Sequence, residues 1–303
     1  DVVLSRKPAS WDDFFAVRGL ADAAEAATVL GDAAAPRVGL LRDEMRRDLH
    51  AAIRRAVTDH QLGVIPGSVE LGDFDPTSTA IAFDPCDEWT RLPDDALRAT
   101  FERYWEELAA RRSGARVADA YTPYEVRTAA AFVMLGQRDR AVEMLDWLIA
   151  DQRPVAWRQW PEIAWRDGRA PRFLGDLPHG WVASSFVRAV RRMVAYEDRD
   201  RGRLVLAAGV PADWVREAPG VRVTAMPTHW GPIGLTLYAP TADRVHATLA
   251  APPAWPPGGI HIHSPLTGRV RDALADGRPV AVENGVVRLD EPAVEVTIIH
   301  GEA

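Results

Sequence analysis

The sequence predicts a mainly α-helical N-terminal region followed by an antiparallel β-sandwich. Three observations carry that expectation. Apolar residues recur at spacings of three and four from Ser10 to about Glu197. After "YEDRDRG" the period changes to two. Gly, Pro and Asn then divide the chain into short segments of similar length. The boundary is placed at residue 200, giving a helical domain over 1–200 and a β-sandwich over 201–303.

The first helix is expected from Ser10 to Leu30, with Ser10 and Asp13 reading as a capping box and Gly31 ending it. Pro36 opens a second, with Val38, Leu41, Met45, Leu49, Ile53 and Val57 on one stripe. It fades near His60. A polar turn, "PGSVELGDFDPTST" (66–79), leads to a short apolar helix near Thr79–Phe83. Asp94 to Arg112 is amphipathic through Leu97, Phe101, Tyr104, Trp105 and Leu108. Pro123 starts a fifth helix ending by Gly136, and Asp139 caps a sixth that runs to about Arg153. A Trp- and Pro-rich loop covers 154–178, and the last helix runs from His179 to Glu197. Seven strands are expected in "RLVLAAGV", "VRVTAMPT", "GLTLYAP", "RVHATLA", "GGIHIHS", "PVAVENGVVRL" and "AVEVTIIH".

The loops alternate in length. Those preceding the odd-numbered helices are long, so in an antiparallel arrangement they gather at one end. Loops on a rigid scaffold are the usual seat of binding and chemistry. These carry "SWDDFF", "ELGDFD", "YTPYE", "WRQWPEIAW" and "GDLPHGW".

Composition excludes some classes. A net charge of -7 with a pI near 5.7 argues against a nucleic-acid partner. No apolar run approaches the roughly 20 residues of a membrane span. The single cysteine, Cys86, permits no internal disulfide and has no nearby His to activate it. His261 and His263 resemble a metal pair, but without a third ligand a solvated strand face is the simpler reading, so no metal is expected. No Gly-rich phosphate loop is present, and no cofactor is expected. Residues 1–13 have no apolar signal-peptide core, and the chain has no initiating Met. The expectation is that something was removed upstream or that this is a fragment of a longer chain.

Trp157, Trp160, Trp165 and Trp181 fall close together in the sequence, among carboxylates. Aromatic faces stack on sugar rings, and carboxylates bind hydroxyls. Glycoside cleavage needs two carboxyl groups. Glu162, between Trp160 and Trp165, is the candidate base; its alternative is an ion pair with Arg158 or Arg166. Glu70 and Asp73 are candidates to bind substrate hydroxyls or assist the acid, although Asp73 and Asp75 are also suited to capping the third helix. Trp157, Trp160, His179 and Trp181 are expected to line the sugar subsite, with Tyr124, Glu125 and Asp13 as further contacts. Glu125 has the alternative of simply complementing a helix dipole. Glycoside hydrolysis is thus the leading reading. A polysaccharide lyase using Tyr121 or Tyr124 with His179 on a uronic acid is the second, and a non-catalytic carbohydrate-binding protein the third.

Trp160-Pro161-Glu162 resembles a loop motif, "WxxWPE", of the bacterial six-hairpin, (α/α)6-toroid glycosidases. Pro178-His179-Gly180-Trp181 resembles their "SHGW" segment, with Pro in place of Ser. "SWDDFF" (10–15) resembles a substrate loop of the same superfamily, and together the motifs resemble those of the α-L-rhamnosidase-like enzymes. The resemblance implies an inverting hydrolase with Glu162 as base. A full toroid needs twelve helices, so about seven imply its C-terminal half, completed by an upstream segment or another chain.

Overall fold

The computed structural model describes residues 10–169 and 172–301. Most of the N-terminal segment read for a signal peptide lies outside them. The helices are α1 (Ser10–Val29), α2 (Ala35–Asp59), α3 (Pro76–Ile81), α4 (Asp94–Arg112), α5 (Arg127–Met134), α6 (Arg138–Ala150), α7 (Gly180–Val194) and α8 (Asp213–Arg216). The strands are β1 (Ala120–Tyr121), β2 (Ala164–Trp165), β3 (Ala195–Asp198), β4 (Arg203–Leu206), β5 (Val221–Thr228), β6 (Gly231–Thr241) and β7 (Arg244–Ala250). They continue with β8 (Ile260–His263), β9 (Val270–Ala275), β10 (Arg278–Pro279), β11 (Ala281–Glu283), β12 (Val286–Leu289) and β13 (Glu295–His300).

This corrects the expected fold class. The protein is a mixed α/β structure, 41% helical and 22% strand, with three sheets, and not a mainly α toroid. Two expected hairpin arms are too short to form such a wall. At about 1.5 Å per residue, the six residues of α3 and the eight of α5 span only about 9 and 12 Å.

The chain divides into two compact units, 1–135 with 144–188, and 136–143 with 189–303. In the first, α1 lies against α2 and α3, and α3 against α5. Phe14, Ile53, Phe83, Phe101 and Phe132 are fully buried there. Asp75 caps α3, accepting hydrogen bonds from the backbone N–H groups and hydroxyls of Thr77 and Ser78. Ser10 does not form the expected capping box; its N–H donates to Gly67 O and its hydroxyl reaches Pro66 O. That ties the start of α1 to the acidic turn.

In the second unit one sheet runs β10-β9-β13-β7-β6-β5, all antiparallel. The other runs β11-β12-β8-β4-β3, with β4 and β8 parallel. Alternation along the strands turns Val245, Ala247 and Leu249 of β7, Val296 and Ile298 of β13, and Ile260 and Ile262 of β8 into one core. His261 and His263 face the other way. His263 is partly buried rather than on an open solvated face, and burial lowers its pKa to about 4. Among the described residues, no three His, Cys, Asp or Glu side chains gather as a metal ion would require. Nor is any described helix long and apolar enough to cross a membrane.

Candidate functional site

The site is assembled in the first unit where the first turn of α1 meets the segments before α5 and α7. Thr122 caps the turn at 123–126 by accepting from Tyr124 N–H, and Pro123 fixes its first φ. The helix that follows is buried along its whole length, and it carries Arg127 inward at its start. Arg127 Nε donates to Ser185 Oγ at 3.1 Å, while Nη1 is buried with no partner. Its guanidinium lies 4.0 Å from the Tyr124 ring centroid and 5.6 Å from that of Trp11, a cation–π arrangement. Burial lowers the Arg127 pKa, opposed by Tyr124, but a guanidinium remains a cation at neutral pH.

At the start of α7, His179 N–H donates to Trp160 O. Its Nε2 lies 2.5 Å from Tyr124 Oη. Burial raises the Tyr124 pKa, Arg127 opposes the rise, and Glu162 and Asp176 add to it. The phenol is therefore protonated and donates to Nε2, which leaves the imidazole proton on Nδ1, 3.7 Å from Asp176. Trp181, 55% exposed, stands beside this pair with ring centroids 6.3 Å from Tyr124 and 5.9 Å from Trp11. A cleft of about 430 Å³ opens next to it, lined by Phe15, Trp181, Arg127, Ser184, Ser185 and the Arg188–Asp84 ion pair.

Glu162 is anchored by its backbone. Its N–H donates to Asp176 O at 3.3 Å, and its carbonyl accepts from Thr122 Oγ1 at 3.1 Å. Its carboxylate makes no hydrogen bond or ion pair with a described residue, so the alternative pairing with Arg158 or Arg166 is not formed. Gly175 (φ +63°) passes directly over it. A Cβ there would come within 2.1 Å of Glu162 Oε2.

The other predicted residues lie elsewhere or act structurally. Glu70 accepts from Ser68 Oγ and shares with Asp13, Glu44 and Asp48 a separate cleft of about 520 Å³. Burial raises the Asp13 pKa, and the charges of Asp12 and Glu70 raise it further. Asp73 closes the acidic turn by accepting from Ser68 N–H, and Gly67 N–H donates to its carbonyl. Glu125 is buried and accepts from Tyr104 Oη at 2.7 Å and from both terminal nitrogens of Arg111. Trp160 is buried and donates Nε1–H to Leu148 O. Trp157 is exposed on a turn of 3-10 helix. Tyr121 pairs with Ala164 in the β1–β2 ladder, so the His179 partner is Tyr124.

No protein-family model and no curated protein matches this chain. The residues of the site therefore stand on their geometry.

Sequence reasoning missed Trp11, Arg127, Asp176 and Ser185. Trp11 and Asp176 lie within "SWDDFF" and "GDLPHGW" but were not singled out there, and Arg127 had a signal of its own. The apolar run "AAAFVM" marks a helix buried all round, which carries a first-turn side chain in with it.

Proposed function

We propose that the helical unit binds a carbohydrate beside Trp181 and hydrolyses its glycosidic bond, with Glu162 as the general base. The observation that carries this reading is the Glu162 carboxylate, which pairs with no described residue and acts on Tyr124, the ring that stands beside Trp181 of the cleft. A base must keep a lone pair free to take the proton of an attacking water, and a carboxylate locked in an ion pair does not. Trp181 offers an exposed face for the apolar side of a sugar ring. The resemblance of 160–162 and 178–181 to segments of the six-hairpin glycosidases points the same way and adds inversion at the anomeric carbon.

Glu162→Gln tests it. On a glycan that the unmutated chain cleaves, turnover falls about a hundred- to ten-thousand-fold, with sugar affinity and melting temperature little changed. Turnover within about threefold of the parent would remove Glu162 from the mechanism.

The hydrogen-bonded Tyr124–His179 pair favours a second reading, elimination from a uronate, in which Tyr124 passes its proton to the leaving oxygen and so frees His179 Nε2 to take the ring proton. The product decides. Hydrolysis yields a saturated reducing sugar, elimination a 4,5-unsaturated uronide that absorbs in the ultraviolet, and saturable binding without product marks a binding protein.

A further inference from the structure

A buried guanidinium is normally paired, because an isolated charge is costly to remove from water. The chain illustrates the rule. Arg192, also 8% exposed, is paired with Glu197 at 3.7 Å, and half-buried Arg111 is paired with Glu125. Arg127 departs from it. It is 8% exposed and makes no salt bridge with a described residue. Its direct contacts are a serine hydroxyl and two aromatic faces, the charges of Asp75 and Asp84 act on it without a salt bridge, and one terminal nitrogen lacks any acceptor. It also lines an open cleft rather than a sealed core. The cleft around it is mainly apolar, with Phe15 and Trp181 as walls and the hydroxyls of Ser184 and Ser185 beside the cation.

We infer that Arg127 is the anion-recognition group of this cleft, and that its ligand is an acidic sugar whose carboxylate pairs with the guanidinium while its ring lies against Trp181. The inference rests on the carbohydrate reading above and deepens it by naming the substrate class. A bare anion would use the guanidinium but leave the aromatic walls wet. A neutral sugar would use the walls but leave the buried cation unpaired. A uronic acid satisfies both. The Arg188–Asp84 pair, already satisfied, serves as one wall.

The test is calorimetric binding by the full chain of three probes: a trigalacturonate, its fully methyl-esterified form, and inorganic phosphate. The ester keeps the ring and removes the charge. A site with a buried polar group discriminates strongly against an analogue that leaves it unpaired, so the acid is expected to bind at least about tenfold tighter than the ester, and phosphate weaker than the acid. Arg127→Gln, with an unchanged circular dichroism spectrum, should bring acid and ester to within about threefold. Should that variant fail to fold, Ser185→Ala takes its place. It withdraws the hydrogen bond that holds Nε, and the acid-to-ester ratio should fall about threefold. Equal affinity for acid and ester overturns the inference while leaving a carbohydrate cleft in place. An undiminished ratio in folded Arg127→Gln, or in Ser185→Ala where that takes its place, also overturns it, as does phosphate binding as tightly as the acid. If neither saccharide binds but neutral oligosaccharides do, only the acidic-sugar inference falls. If no saccharide binds, the carbohydrate reading falls with it.

Discussion

Glu125→Ala separates a structural carboxylate from a substrate contact. In the native chain this carboxylate accepts from the Tyr104 hydroxyl and from both terminal nitrogens of Arg111. The side chains of Arg111 and Glu125 are 13% and 10% exposed. Removing the acid leaves a guanidinium without its counter-charge and a buried phenol without its acceptor. Breaking one partner out of a buried pair costs about 3–5 kcal/mol, and an orphaned hydroxyl about 1–3 kcal/mol. The two losses share one site and overlap, so the expected total is about 4–5 kcal/mol. That is a large fraction of the roughly 5–15 kcal/mol that holds a domain folded. Urea unfolding followed by tryptophan fluorescence reads it, because eight of the eleven tryptophans lie in the unit that holds Glu125. The midpoint should fall with the slope unchanged. Glu125→Gln keeps an acceptor for Tyr104 and should lose about half as much. A loss below about 1 kcal/mol accompanied by loss of sugar affinity would refute the reasoning and return Glu125 to the binding site.

Two further outcomes are expected. Cys86 is 2% exposed and burial pushes its pKa up to about 12. Iodoacetamide should therefore label it at pH 8 more than about a hundredfold slower in the native chain than in urea, and rapid native labelling would contradict its burial. Asp13 is held above its ordinary pKa by burial, then by Asp12 and Glu70. A carboxyl raised in the folded state binds protons more tightly folded than unfolded. Its contribution is therefore favourable at low pH and is lost as pH rises through the folded value. Asp13→Asn should accordingly raise the melting temperature at pH 7, by the equivalent of no more than about 1 kcal/mol for a half-exposed group. The gain should vanish near pH 3, and a gain that persists there would contradict the assignment.

The sequence was informative where structure is local. Three-and-four spacing marked α1, α2 and α4 to within a residue or two, and period two marked β5 and β7 over their full lengths. It failed where pairing is distant. β3 continues the residues of α7 and becomes a strand only because β4 lies alongside it. β9 and β10 form a hairpin around Asp276-Gly277, and the alternation in "VRDALA" is too weak to announce it. The expected helix from Pro123 begins as a turn of 3-10 helix, which shortens α5 and removes one arm of the anticipated toroid. At the site, the aromatic and acidic residues could be read, but their assignments could not. Tyr124, Glu162, His179 and Trp181 come together, whereas Asp73, Glu125 and Trp160 turn to their own surroundings. Composition cannot distinguish a carboxylate facing a cleft from one facing an arginine.

Trp160 carries a consequence for how this chain tolerates change. A tryptophan that only stacks on a ligand is replaceable by another aromatic ring. Here the indole N–H is fixed to Leu148 O, and the same residue's carbonyl receives the N–H of His179. The histidine is thus aligned by a residue whose side chain belongs to the interior. Phenylalanine at 160 would keep the ring but release the anchor, and the disturbance would surface at His179, in a group the substitution never touches.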